Sequence, residues 1–248
     1  MKSEDKLGLV LNKNNEIIMS REKAVLKCSF ADTDAYDRRI RKFVPYYEEM
    51  MNSVLNCLPD LESHFVVLDL GCGTGSLSQR LLRQRRYCKL VAIDVVKEMA
   101  EKCRERLVPY SNRAEIFCAD MMKFRRLDSF DYVLSNLTLH YPETDKKKIS
   151  VCRNVFQSLR SGGIFSFSVM LTGESPKATE KIWRLWERDV LQNGVTREEL
   201  DDWYRTHHGS DHPVSPSFWL RWLQEAGFWH CKLVWRETIF GTIWARKP

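Results

Sequence analysis

The stretch Phe65-Val66-Val67-Leu68-Asp69-Leu70-Gly71-Cys72-Gly73-Thr74-Gly75 decides how the rest of the chain is read. Its first six residues form a short, nearly continuous apolar run, the pattern of a strand buried on both faces of a parallel sheet. Three glycines at alternate positions then let the backbone turn sharply and approach a ligand more closely than a Cβ would permit. Leu77, Leu81 and Leu82 follow at helical spacing. Strand, glycine turn and helix in that order place a ligand at the carboxyl end of the first strand, the topological switch point of an open α/β sheet. A dinucleotide fingerprint would set its third glycine at position 76, where Ser76 stands, and the absence of Gly-Lys-Ser/Thr excludes a P-loop.

Downstream, the same rhythm repeats. Lys89 to Ile93 reads as a strand, Val96 to Leu107 as a helix, and Glu115 to Cys118 and Phe130 to Leu134 as two more strands. Ile149 to Leu159 reads as a helix stopped by Gly162-Gly163, followed by a strand over Ile164 to Met170. Strand–helix alternation with short links predicts a doubly wound parallel sheet with helices on both faces. Two acids fall at strand ends. Asp94, followed by Val95, can accept hydrogen bonds from both ribose hydroxyls of an adenosine group, and Asp120, followed by Met121, can read the adenine edge. Taken singly, each acid is as well explained as a solvated strand end or a helix N-cap. Three consecutive strand ends carrying the glycine loop and both acids favour the ligand.

Flanking segments depart from this rhythm. Tyr36, Ile40, Phe43, Tyr47, Met50, Met51, Val54 and Leu58 predict a helix from Thr33 to Leu58, split at Pro45. Asn12 to Asn15 reads as a turn. Between Glu174 and His208 two further helices are expected, the second opened by the capping pair Thr196 and Glu199. Phe218 to Ala226 is another helix, and Cys231 to Trp235 with Phe240 to Ala245 a terminal antiparallel hairpin. The organisation expected is a helical cap over residues 1–60 and a main unit over 61–248 with a lid insertion at about 174–215, together one structural domain.

Composition narrows the class. The chain has 248 residues, 44% hydrophobic and 29% charged, enough to build a core without staples. Eight cysteines contain no Cys-x-x-Cys pair, which speaks against zinc and redox motifs and for reduced thiols. The longest apolar stretch, Ile164 to Leu171, is far short of the ~20 residues a membrane span needs. The Met1-Lys2-Ser3-Glu4-Asp5-Lys6 start, followed by only a brief apolar patch at Leu7 to Leu11, is unlike a signal peptide, so a cytoplasmic protein without membrane contact is expected. A formal charge of +6 permits anionic ligands without arguing for them.

Asp69-x-Gly71-x-Gly73-x-Gly75, Asp94, Asp120, Phe130-Asp131-Tyr132-Val133-Leu134-Ser135-Asn136 and Leu159-Arg160-Ser161-Gly162-Gly163 together resemble the class I S-adenosylmethionine-dependent methyltransferases. The resemblance spans about residues 30 to 246. It implies a seven-stranded sheet whose last strand is antiparallel, and S-adenosylmethionine as cofactor. It places Gly71 and Gly73 against the methionine part, Asp94 on the ribose, Asp120 and Met121 beside the adenine, and Asn136 and Leu137 along the methionine side. Asp69, Gly75 and Val95 complete the expected cofactor set. Two further stretches, around Tyr36 to Pro45 and Phe218 to Phe228, are similar to the trans-aconitate and tRNA wobble-uridine-modifying subgroups.

Methyl transfer is an in-line displacement at a sulfonium carbon. The protein must chiefly align an acceptor and exclude water, and it needs a base only when the acceptor loses a proton. His140 is the best base candidate, with Tyr141 beside it; simple packing beneath the cofactor competes for both. Tyr36, Tyr46 and Tyr47 are candidates to fold over the cofactor, with core packing the alternative, and Arg41 to meet a carboxylate of cofactor or substrate, with an exposed helix face the alternative. Trp183, Trp186, Trp203, Trp219 and Trp222 suggest an aromatic substrate chamber, with ordinary core packing the rival reading. His207-His208-x-x-x-His212 is read as a solvated loop, so no metal is expected, and Arg83 to Arg86 and Lys146 to Lys148 as solvated helix ends. The acceptor expected is a small molecule. The alternative is action on tRNA or a carboxylated sulfonium cofactor, and the sequence leaves the oligomeric state undetermined.

Overall fold

The computed structural model describes residues 10–11, 17–18, 33–60, 63–207 and 210–248. The Asn12 to Asn15 turn lies outside these residues, between Val10–Leu11 and Ile17–Ile18, which pair antiparallel. Seven strands form the main sheet: β1 Phe65–Leu70, β2 Cys88–Asp94, β3 Ala114–Cys118, β4 Phe130–Asn136, β5 Leu159–Met170, β6 Trp229–Glu237 and β7 Phe240–Arg246. Their order is β3-β2-β1-β4-β5-β7-β6. The first five run parallel, and β7 inserts antiparallel between β5 and β6. The order reverses beside β1, so the crevice opens above its carboxyl end, where the glycine loop begins.

Among the described residues, eight α-helices surround the sheet: α1 Thr33–Phe43, α2 Tyr47–Leu55, α3 Ser76–Gln84, α4 Lys97–Arg106, α5 Asp145–Ser158, α6 Pro176–Gln192, α7 Arg197–His207 and α8 Pro216–Glu225. Strand alternation divides the core in two. Val67, Leu90, Ala92 and Leu134 face α2, α3, α4, α6 and α7, whereas Leu68, Val91, Val133, Phe165 and Phe167 face α5 and α8. The break between α1 and α2 falls at Val44-Pro45-Tyr46, since proline cannot donate to the preceding turn. Thr196 and Glu199 make the reciprocal cap foreseen, Thr196 N–H to Glu199 Oε2 at 2.8 Å and Glu199 N–H to Thr196 Oγ1 at 3.1 Å.

Two expectations need correction. Gly162-Gly163 does not stop a helix: α5 ends at Ser158 and both glycines lie inside β5. A Cβ on Gly163 would sit 2.8 Å from Arg160 O and 3.0 Å from Asp131 O, and the register against β4 shifts between Phe130 and Tyr132. The pair therefore marks an irregularity where two strands crowd together. Lys148 is not a solvated helix end. It is fully buried, its ammonium donating to Pro142 O, and burial lowers its pKa to about 8.

Candidate functional site

Above the carboxyl ends of β1, β2 and β4 lies a cavity of about 790 Å³. One end is assembled from loops that directly follow strands. Asp94 ends β2, and its carboxylate is held by backbone donors, Gly73 N–H to Oδ2 at 2.8 Å and Val96 N–H to Oδ1 at 2.9 Å. The acid thus fixes the glycine loop while lining the cavity. Burial raises its pKa and these backbone bonds oppose the rise. Asp69 is buried beneath the loop, with Ser78 Oγ donating to Oδ2 at 2.5 Å, and burial lifts its pKa to about 7. Asp120 accepts Met122 N–H at 2.8 Å, closing the turn that presents Ala119, Met121 and Met122 to the cavity.

The β4 end contributes Asn136, Leu137 and Thr138. Leu137 takes a left-handed φ of 54°, a conformation costing on the order of 1 kcal/mol or more for a branched side chain. It is sustained by Ser168 Oγ donating to Asn136 Oδ1, and by Thr138 Oγ1 donating to Gly71 O at 3.0 Å. The rest of the lining has no single parent element. Tyr36 of α1, Tyr47 of α2, Tyr141, Pro142 and Glu143 after β4, Lys147 of α5, Arg205 of α7, and Ser210 and His212 belong to it. Burial raises the pKa values of Tyr36 and Tyr141, so both phenols stay protonated donors at neutral pH. Burial, then the Lys148 cation, lowers that of His212, which is a neutral imidazole at pH 7.

Of the cofactor set expected from sequence, Asp69, Gly71, Gly73, Asp94, Val95, Asp120, Met121, Asn136, Leu137 and Tyr36 line this cavity. Two do not. Gly75 packs against Cys103 below the loop, and Arg41 is engaged with Asp37 O at 2.8 Å and Glu48 Oε1 at 3.2 Å. Of the two base candidates, Tyr141 lines the cavity and His140 does not. The His140 ring is 3% exposed, packed at 4.5 Å on Tyr141, with Nε2 3.7 Å from Asp211 Oδ1. His212, which the sequence suggested only as loop, lines the cavity instead, its N–H donating to His140 O at 3.0 Å. The side chains of His207 and His208 lie outside the described residues. Among the described residues, no group of three His, Cys, Asp or Glu is placed to hold a metal.

The aromatic chamber is also corrected. No tryptophan lines the cavity. Trp186 is fully buried, 4.7 Å from Trp203 and 5.4 Å from Trp183, and its Nε1 donates to Phe43 O at 2.8 Å. This cluster packs α6 and α7 onto α1, while Trp219 and Trp222 belong to the other core. Helical spacing of large rings is the signature of a buried stripe, which wins here.

A family model described as a methyltransferase domain matches residues 67–163. A carboxy-S-adenosyl-L-methionine synthase from Shewanella sediminis is 30% identical over 174 residues, covering 66% of this chain and 69% of its own length. A synthase of the same name from Psychromonas ingrahamii is 24% identical over 250 residues, covering 94% and 98%. The chain belongs to the class I S-adenosylmethionine-dependent methyltransferases. In fold, it is similar to the N-methyltransferase NodS from Bradyrhizobium japonicum, with a TM-score of 0.65 at 14% identity, covering 92% of this chain and all of that one.

As a methyltransferase of this family, the protein is an enzyme that uses S-adenosylmethionine, which supplies a methyl group on an activated sulfonium. The site fits that group. A Cβ built on Gly73 would meet nothing within 4 Å, although φ there is 53°, so the loop leaves an open cradle at the carboxyl end of β1. The Asp94 carboxylate beside it faces a cavity rather than bulk solvent. Sequence reasoning missed Thr74, Ser76, Asp37 and Arg106, which join in one hydrogen-bonded cluster. No local pattern announces it, since Asp37 and Arg106 lie 69 residues apart. Among the described residues, no helix is long and apolar enough to cross a membrane.

Proposed function

We propose that the chain transfers a methyl group from S-adenosylmethionine to a small, polar acceptor bound at the second end of the same cavity. Asp94 would hold the ribose hydroxyls, Asp120 and Met121 the adenine, and Gly71, Gly73, Asn136 and Leu137 the methionine part. The observation carrying this reading is that the cavity continues past these residues to Tyr36, Tyr141, Lys147, Arg205 and His212. At about 790 Å³ it lies within the range of small-molecule sites, ~300–1,000 Å³. Arg205 and two phenol donors, beside a Lys147 that is paired with Glu143 at 2.9 Å, leave that end with a net positive charge that suits an acceptor carrying a negative charge. A nucleic-acid substrate is less favoured: Lys147 and Arg85 are engaged with Glu143 and Asp60 rather than joined in one basic stripe. A cytosolic setting accords with seven free cysteines among the described residues.

The named relatives favour a second reading, a chain that makes or uses a carboxylated sulfonium, whose added carboxylate would suit the same cations. Mass spectrometry of the small molecule that copurifies separates the two. S-adenosylmethionine or its demethylated product supports methyl transfer, and a species heavier by one carbon dioxide supports the second reading. A bound nicotinamide dinucleotide would overturn both.

A further inference from the structure

Helix α1 places two consecutive residues in different surroundings. Tyr36 lines the cavity, while Asp37 does not and instead joins a cluster with Arg106 and with Thr74 and Ser76 at the end of the glycine loop, which do line it. Thr74 Oγ1 donates to Asp37 Oδ1 at 2.7 Å, and Arg106 Nη2 donates to Asp37 Oδ2. Arg106 Nη1 reaches Thr74 Oγ1 at 3.0 Å and Ser76 Oγ at 2.6 Å. The Thr74 hydroxyl therefore accepts from one partner and donates to the other. The Asp37 and Arg106 side chains are about four-fifths buried, at 19% and 20% exposed, so solvent screens this pair less than the surface pairs of α1.

The rest of α1 is tied elsewhere. Asn193 Nδ2 donates to Arg41 O and Lys42 O at 2.7 and 2.9 Å, Lys42 pairs with Glu199 at 3.2 Å, and Phe43 stacks on Trp203. The carboxyl-terminal half of α1 is thus tied to α6 and α7, whereas Asp37 links its amino-terminal half to the glycine loop. That loop is gripped at neighbouring residues from opposite sides, Gly73 by Asp94 and Thr74 by the Asp37–Arg106 pair.

We infer that Asp37, Thr74 and Arg106 are positioning residues for the cofactor site: they latch α1 to the glycine loop, so that Tyr36 covers the cavity and slows cofactor escape. The latch acts through Tyr36 and the loop, and none of the three needs to touch the transferred methyl group. The inference holds for either reading of the acceptor, because it concerns retention of the adenosyl ligand alone.

The test is affinity and dissociation rate for S-adenosylhomocysteine, by calorimetry and by chase of labelled ligand from the full chain. Arg106→Gln and Asp37→Asn should each weaken binding about tenfold, chiefly through faster dissociation. Thr74→Val, which keeps shape and charge, should do the same and serves if a charge variant fails to fold. The double variant Tyr36→Ala/Arg106→Gln should bind no more weakly than the weaker single variant. A merely structural contribution would instead give additive losses. Binding and dissociation within twofold of wild type in Thr74→Val, or additivity in the double variant, would overturn the inference.

Discussion

The two ends of the cavity are built on different plans. At the end proposed for the adenosyl group, most lining residues sit within a few residues of a strand's carboxyl end, Tyr47 of α2 being an exception, and backbone donors hold Asp94 and Asp120. At the end proposed for the acceptor, the lining comes from α1, the loop after β4, α5, α7 and the segment before α8. The first end is a property of local sequence repeated along a sheet. The second exists only once distant segments have packed. One lesson is that cofactor chemistry can be legible in a chain whose acceptor chemistry is not.

The sharpest way to break this comparison is at Asp94. Asp94→Ala removes the group that anchors Gly73 and the carboxylate offered to the ribose. With charge-assisted bonds worth ~1.5–3 kcal/mol each, affinity for S-adenosylhomocysteine should fall at least tenfold in calorimetry while the fold persists. Unchanged affinity would mean that the adenosyl end is not organised by its strand-end acids.

Trp186→Ala probes the packing behind the other end. Removing a fully buried indole should cost about 3–5 kcal/mol and lower the melting temperature by roughly 10 °C. At a temperature where the variant is folded, its cofactor affinity should stay within about threefold of wild type. A large loss of binding without loss of stability would return the tryptophans to the ligand.

The smallest effect expected is at Asp211, whose pKa burial raises to about 7. Between its unfolded value near 3.8 and 7 the folded chain holds a proton that the unfolded chain has released. Its contribution to stability therefore falls as pH rises through that window. Asp211→Asn should flatten the decline in melting temperature from pH 5 to 7 relative to wild type. An identical slope in both proteins would show that this acid does not couple the loop before α8 to pH.

These contrasts explain what could be read in advance. The strands from Phe65 to Met170 follow from apolar runs separated by turn residues, and the strand-end residues Gly71, Gly73, Asp94, Asp120 and Asn136 line the cavity as their positions suggest. For His140 the packing reading prevails over the base, since position after a strand does not reveal which way a side chain turns; its backbone carbonyl holds the residue that lines the cavity. The tryptophans were ambiguous because one spacing serves both core and chamber. Arg106 and Asp37 left no trace, since their meeting is a product of the fold. Gly162-Gly163 misled because a glycine pair signals helix termination and strand crowding equally well.

The Trp183–Trp186–Trp203 cluster has a further consequence. Indoles this close exchange excitation, so their emission reports the environment of the cluster as a whole. Trp186 is bonded to the last residue of α1, and Trp203 stacks on it. The molecule thus carries a native optical reporter at the root of the helix whose other end covers the ligand.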